Sequence, residues 1–420
     1  MKERTFFILV VLSSLLIVPK IRSANDASRM ATVQALVEHG TFQIDSTEFI
    51  NTVDKVFIGG NFYSDKPPFP SLLASAIYFP LYQFGFHLGY EWNLAYFLIT
   101  LLVIKSIWIA SLLYFYKLLG LVNFTGSKIL LTSFLAFGSL YFSWSSTFNN
   151  HILAGSFFLL GLYFWVEAKQ LGFSRWRSDF LSGFYFLCAG ISDLPVLVFF
   201  FAFLLLLIFQ KPNWKAVLIF LFPALLTVVP YLVHNNMISG SIKPFQIQKQ
   251  FFEYPYSMWI KNNALSGVDQ NDPLFVLTNA FQLLLGSKGF LLYSPISLIS
   301  IWTLLNYKDK FKNSGREIWI SLVCCFLIFG YYSVYSTNLS GGSYSIRWFV
   351  PFLPILVFSC FPFFEDLTET KKRILKILLV LSIVISSVGI INPWSKKHYN
   401  ENSFLANLYN VVHYYELPKK

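Results

Sequence analysis

Residues 59–85 read "GGNFYSDKPPFPSLLASAIYFPLYQFG". The stretch sets Asp65 and Lys66 against a double proline and runs directly into apolar sequence broken by Pro70, Pro80 and Gly85. Whether it crosses a membrane or lies along one decides how the rest of the chain is threaded.

A membrane is required by the composition. Of the 420 residues 55% are hydrophobic and only 13% charged, with a mean hydropathy of +0.56, so polar groups are too few to cover the chain in water. Apolar runs long enough to cross about 30 Å of hydrocarbon as helices recur near 93–117, 128–144, 151–166, 178–192, 196–210, 216–234, 289–305, 317–336, 347–364 and 374–392. With an uncleaved first helix over 1–21, the pattern predicts an all-α, polytopic transmembrane bundle of about eleven crossings. Arg22 disturbs the small-residue pattern that would make the N-terminus a cleavable signal peptide.

The net charge of +11 suggests no nucleic acid, because the basic residues gather in links between apolar runs. Lys117 and Lys128; Lys169, Arg175 and Arg177; Lys211 and Lys215; Lys308, Lys310, Lys312 and Arg316; and Lys371, Lys372 and Arg373 fill every second link. The alternate links at 145–150, Asp193 and 338–345 hold no Lys or Arg. The positive-inside rule then places the first set in the cytoplasm. The run at 93–117 must begin outside, as must the segment after residue 22, so 69–86 is not a single crossing. It is expected as an interfacial or re-entrant helix on the outer face.

This threading predicts an external loop at 22–92, a transmembrane core at 93–234, a second external loop at 235–288, C-terminal transmembrane helices at 289–392 and an external tail at 393–420. In the first loop, Met30, Val33 and Val37 fall on one helical face and Gly40 stands where that helix should stop, predicting a second interfacial helix.

Chemistry-bearing residues collect at the outer boundary, and each admits two readings. Asp26 either caps the helix that follows or holds a carboxylate ready to take a proton from an acceptor hydroxyl or bind a metal. Asp65, or Ser64, either caps a helix begun by Pro67, or Asp65 and Lys66 together meet a lipid phosphate at headgroup depth. Arg347 is an interfacial anchor or a two-pronged phosphate grip. His151, after Asn149 and Asn150, is a helix-start residue or a ligand. Lys105 and Asp193 are charges near membrane depth. The four cysteines fall in apolar runs, and neither CxxC nor HExxH occurs.

"NDASRMATVQALVEHGTFQID" followed by "FYSDKPPFPSLLASAIYFPLYQFG" resembles the first external loop of membrane glycosyltransferases of the C-type (GT-C) fold. The similarity is to the lipid A aminoarabinose transferases and the wider protein O-mannosyltransferase-like group. "LLLGSKGFLLYSPISL" and "GGSYSIRWFVPFLPIL" are similar to later pieces of bacterial relatives. The resemblance implies a sugar donor on a polyprenyl phosphate and inverting transfer on the outer face of a cell membrane, to an acceptor the sequence does not identify. It implies that Asp26 is the catalytic base, with Asn25 as the other residue that can occupy that position. Asp65 and Lys66 would meet the donor, with Lys66 offsetting the leaving phosphate, and Arg347 and His151 are further substrate-binding candidates. A divalent metal cofactor is left open. The reading from another class is a multi-pass transporter or flippase, which would show charges near the bilayer midplane.

Overall fold

The computed structural model describes residues 2–173, 175–210, 214–261, 272–311, 315–336, 338–398 and 401–412. Lys211, Lys312 and parts of the expected 235–288 loop and 393–420 tail lie outside the described residues.

Among the described residues, seven helices are long and apolar enough to cross a membrane: Leu94–Leu121, Asn150–Gln170, Trp214–Ser239, Pro273–Tyr293, Gly315–Tyr335, Arg347–Glu365 and Glu369–Ile391. Lys128–Ala136 and Leu140–Ser146, bent by 54° to one another, are either an eighth, broken span or a re-entrant pair. The expected spans near 178–192 and 196–210 are the shorter helices Trp176–Ser192 and Leu194–Phe209. The chain is therefore a multi-pass membrane protein built almost wholly from helices.

Boundaries differ from the sequence reading at two places, and the first is the N-terminal helix, expected over 1–21, which is Glu3–Leu12 continued by one tight turn, Ser13–Leu16. The span expected at 289–305 is divided at Ser294–Pro295, and Pro273–Tyr293 is a helix where an external loop was expected. Proline lacks the N–H that would continue a helix across 295 and disfavours the helical conformation at residue 294.

The chain forms two compact units. The first-loop unit comprises 17–111 and 147–267, and the C-terminal unit comprises 1–16, 112–146 and 268–420. In the first-loop unit, Asn150–Gln170 is buried over 94% of its most apolar window, against 33% for Trp214–Ser239. The former helix is thus wrapped by protein, while the latter leaves an apolar face for lipid. Ala24–His39 is buried through every residue from Asp26 to Ala35, so it is an internal helix and not the half-sunk one its periodicity predicted. Its small residues, Ala27, Ser28, Ala31 and Ala35, let neighbours approach on all sides. Gly40 ends it at φ 65°, the left-handed conformation glycine adopts without steric cost.

A two-stranded antiparallel hairpin, Lys55–Ile58 with Asn61–Ser64, follows. Gly59 and Gly60 turn it at φ 58° and 91°, as a tight hairpin requires. Val56 and Ile58 pack on Phe245 and Phe252 of the 240s segment. Pro68–Gln83 then buries Pro70, Ser71, Ala74 and Tyr78 on one face while Leu72 and Phe79 stay exposed. Its 16 residues reach about 24 Å, short of the hydrocarbon thickness.

In the C-terminal unit, Leu140–Ser146 is stitched to Glu369–Ile391. Ser143 Oγ donates to the Ser386 carbonyl at 2.9 Å and Ser146 Oγ to that of Ile390 at 2.9 Å. The Trp144 indole donates to the Tyr344 carbonyl at 3.2 Å.

Candidate active site

Ser23, not Asp26, caps the Ala24–His39 helix: its Oγ accepts the Asp26 N–H at 3.0 Å. The Asp26 carboxylate is thereby released from local duty and is fully buried. Its Oδ2 accepts from Thr147 Oγ1 at 3.0 Å and from the Tyr96 hydroxyl at 3.3 Å, while Oδ1 has no hydrogen-bond partner among the described residues. Burial pushes its pKa up to about 7, opposed by the Arg29 charge and by hydrogen bonds from Thr147, Ser23 and Tyr96. A carboxyl that titrates near neutrality is suited to accept a proton in catalysis.

Neither Ser64 nor Asp65 caps the next helix, which begins behind Pro67 without a side-chain cap. Ser64 Oγ instead accepts the Lys66 N–H at 3.2 Å and lies 2.6 Å from Ser28 Oγ. Lys66 Nζ sits between two carboxylates, 2.8 Å from Asp65 Oδ2 and 3.0 Å from Asp54 Oδ2. Asn25 donates to the same Asp54 oxygen at 2.8 Å. Burial raises the Asp65 pKa and Asp54 adds to the rise, while Lys66 pulls the other way.

Arg29, one turn beyond Asn25, ties these groups together. It is fully buried, donates to the Asn25 carbonyl and side chain at 3.0 and 2.9 Å, and reaches Asn150 Oδ1 at 2.6 Å. Burial lowers its pKa, and the charges of Asp26, Asp65, Asp54 and Asp193 offset part of that. Three carboxylates, Asp26, Asp54 and Asp65, thus face two cations, Arg29 and Lys66, so one retained proton makes the group neutral. The sequence reading passed over Arg29 and Asp54. The signals that could have found them are an arginine within the helix predicted around Met30 and Val33 and an aspartate immediately before the hairpin signal "KVFIGGNFY".

His151 also lies in this unit, at the start of Asn150–Gln170, whose cap is Asn149. Its Nδ1 is 2.6 Å from Asp193 Oδ2, so Asp193 serves this pair and makes no side-chain cap. Lys105 occupies a wide turn of Leu94–Leu121 with its ammonium 4.2 Å above the Trp108 ring. Arg347 belongs to the C-terminal unit, where its guanidinium donates to the Ser340 carbonyl and lies 4.8 Å over the Trp394 ring. Among the described residues no group of three His, Cys, Asp or Glu side chains is placed to hold a metal ion.

A cavity of about 760 Å³ opens between the Pro68–Gln83 and Trp214–Ser239 helices. Its walls are apolar, with Phe69, Leu72, Leu73, Leu226, Val233 and Met237 among them. Phe42, Tyr63, Pro68, His234 and Ile238 line both it and a smaller cavity that reaches Lys66 and Ser64.

Solved structures of similar shape include ArnT from Cupriavidus metallidurans bound to undecaprenyl phosphate, with a TM-score of 0.53, 12% identity, and coverage of 99% of this chain and 72% of that one. The same protein in the apo state gives 0.51 and 15%, covering 98% and 69%. AglB, an oligosaccharyltransferase from Archaeoglobus fulgidus in complex with an inhibitory peptide and a dolichol-phosphate, gives 0.51 and 12%, covering 93% of this chain. This chain has the GT-C fold. It spans only 56% of the length of AglB. No protein-family model and no curated protein sequence matches it.

Proposed function

We propose that this protein is an integral membrane glycosyltransferase that moves a sugar from a polyprenyl-phosphate donor to an acceptor hydroxyl on the outer face of a cell membrane, with inversion. The observation that carries the reading is the apolar cavity joined by shared lining residues to a narrow cleft of about 10 Å³ that reaches Lys66. An isoprenoid tail needs an apolar groove open to lipid, and its phosphate needs a cation where the groove ends.

In this reading the Asp26 Oδ1 lone pair takes the acceptor proton while the acceptor oxygen attacks the anomeric carbon. The bond between that carbon and the phosphate oxygen breaks, and polyprenyl phosphate leaves carrying one more negative charge. Lys66 stabilises that charge where it develops. Because Asp54 and Asp65 already hold Lys66, donor binding displaces it from one of them. Asp65, with its raised pKa, is the carboxyl that takes up a proton to keep the cluster balanced. Arg29 is a positioning residue: it fixes Asn25 and the start of Asn150–Gln170 around Asp26.

The test uses purified full-length protein incubated with polyprenyl-phosphate sugars and membrane-extract acceptors. Wild type is expected to transfer sugar, and Lys66→Ala to lose transfer by roughly a hundredfold or more, in line with removal of a charge-stabilising group. Transfer undiminished in Lys66→Ala would defeat the assignment of Lys66. Uptake of the lipid-linked sugar into sealed vesicles without transfer would replace the enzyme with a flippase.

A further inference from the structure

The expected external tail, in its described residues 393–398 and 401–412, is held against the C-terminal unit and turns an apolar face away from it. Its helix, Ser403–Val412, has ten residues and is about 15 Å long. Leu405, Leu408, Tyr409 and Val412 fall at i, i+3, i+4 and i+7, a single stripe of a helix, and all four are exposed, Leu405 and Val412 by 60% and 67%. On the opposite side Ser403, Ala406 and Asn407 are buried. A helix covered by water would turn its polar side outward; this one turns its polar Ser403 and Asn407 inward.

Hydrogen bonds fix the depth of that stripe. Asn407 Nδ2 donates to the carbonyls of Val388 and Asn392, at 3.2 and 2.9 Å, in and just beyond the last turn of the Glu369–Ile391 span. Asn407 Oδ1 accepts from Asn392 Nδ2 at 3.2 Å and lies 2.6 Å from His398 Nε2. Nearer the start of the helix, Ser403 Oγ donates to the Ser343 carbonyl at 3.3 Å, and the Phe404 N–H donates at 3.0 Å to the hydroxyl of Tyr293, the last residue of the Pro273–Tyr293 span. Attached at both places, the helix runs across the ends of these spans and does not project from them. The exposed apolar side of Glu369–Ile391, with Val380, Val384 and Ile391, reaches the same level. The stripe therefore continues a surface that the bilayer covers.

We propose that Leu405, Leu408, Tyr409 and Val412 form a lipid-contact surface that lays the Ser403–Val412 helix in the headgroup boundary of the bilayer. Charge at the rim of the stripe fits that partner. Lys396 and Lys397 are exposed, and Lys397 Nζ donates to Asn410 Oδ1 at 3.2 Å and lies 5.4 Å from the Tyr409 ring. Tyrosine and lysine beside an apolar face are the residues that a membrane–water boundary favours, the ring at headgroup level and the ammonium reaching for phosphate. The carboxylate among the described residues of this segment, Glu401, is exposed ahead of the helix. Headgroup phosphates complement the two lysines, whereas a second copy offering the same stripe brings the same positive rim. This surface is independent of the reading of Asp26 and Lys66.

The experiment places spin labels on the full-length protein in phospholipid nanodiscs that hold one copy each, at Leu405→Cys, Val412→Cys and, as the aqueous reference, Glu401→Cys. The native cysteines are buried and leave these positions to react. Each label is read for collision with oxygen, which concentrates among acyl chains, and with a water-soluble nickel chelate. The ratio of oxygen to chelate access should be severalfold higher at 405 and 412 than at 401. All three side chains are exposed, and Leu408→Cys serves if either stripe variant does not fold. The inference is overturned if the stripe labels meet the chelate as freely as the label at 401. It is equally overturned if they become protected only in liposomes crowded with protein, with dipolar broadening between labels, which would assign the stripe to a second copy.

Discussion

Replacing Asp26 with asparagine changes one ionisable group and almost no volume. The asparagine oxygen can still accept from Thr147 and Tyr96, and its amide replaces Oδ1, which has no partner to lose. Burial holds the wild-type carboxyl near 7 instead of its ordinary 3.8. The folded-state pKa is raised, so this group's contribution to stability is fully present below about pH 4 and is lost as pH rises to about 7. The difference corresponds to at most about 4 kcal/mol. Asp26→Asn should therefore melt higher than wild type above pH 7, and the gap should close towards pH 4. Activity should move the opposite way. As a base Asp26 must be ionised, so wild-type transfer should rise as pH passes through about 7, and the variant should lose roughly a hundred- to ten-thousandfold. Sugar transfer and melting are to be followed across pH in the same preparation. A variant that transfers sugar at the wild-type rate, or that is the less stable protein above pH 7, would refute the reasoning.

Arg29→Gln leaves several carboxylates without their buried counter-charge, and should cost about 3 to 5 kcal/mol, read as a fall in melting temperature. Leu72→Trp narrows the apolar cavity from a half-exposed position, so the donor KM should rise severalfold while melting temperature and kcat stay near wild type. Because the four native cysteines are buried, single cysteines report topology against a low background. An impermeant thiol reagent applied to intact cells should label Asn51→Cys and spare Lys310→Cys; the reverse pattern would invert the threading.

Much of the fold was legible because hydropathy and helix punctuation are local. Long apolar runs, basic links, Gly40 after the first loop's helix and the prolines before Pro68–Gln83 all act within a few residues. The capping assignments failed locally for an identifiable reason. Ser23, three residues before Asp26, offered an equally good cap and took the role. The hairpin was also signalled, by paired glycines between short β-prone runs, and was passed over.

By itself, the sequence determined that the chain lives in a membrane, roughly where most of its helices run, and that Asp26, Asp65 and Lys66 belong to one loop. Only the tertiary structure decided that Asp54 shares Lys66 with Asp65 and that Arg29 reaches Asn150, 121 positions away. It likewise decided that Ala24–His39 is buried all round from Asp26 to Ala35 and that the apolar cavity shares lining residues with a narrow cleft at Lys66. Periodicity records which face of a helix is apolar. Partners brought together from distant segments, and the burial that shifts a carboxyl to neutrality, exist only once the chain has closed on itself.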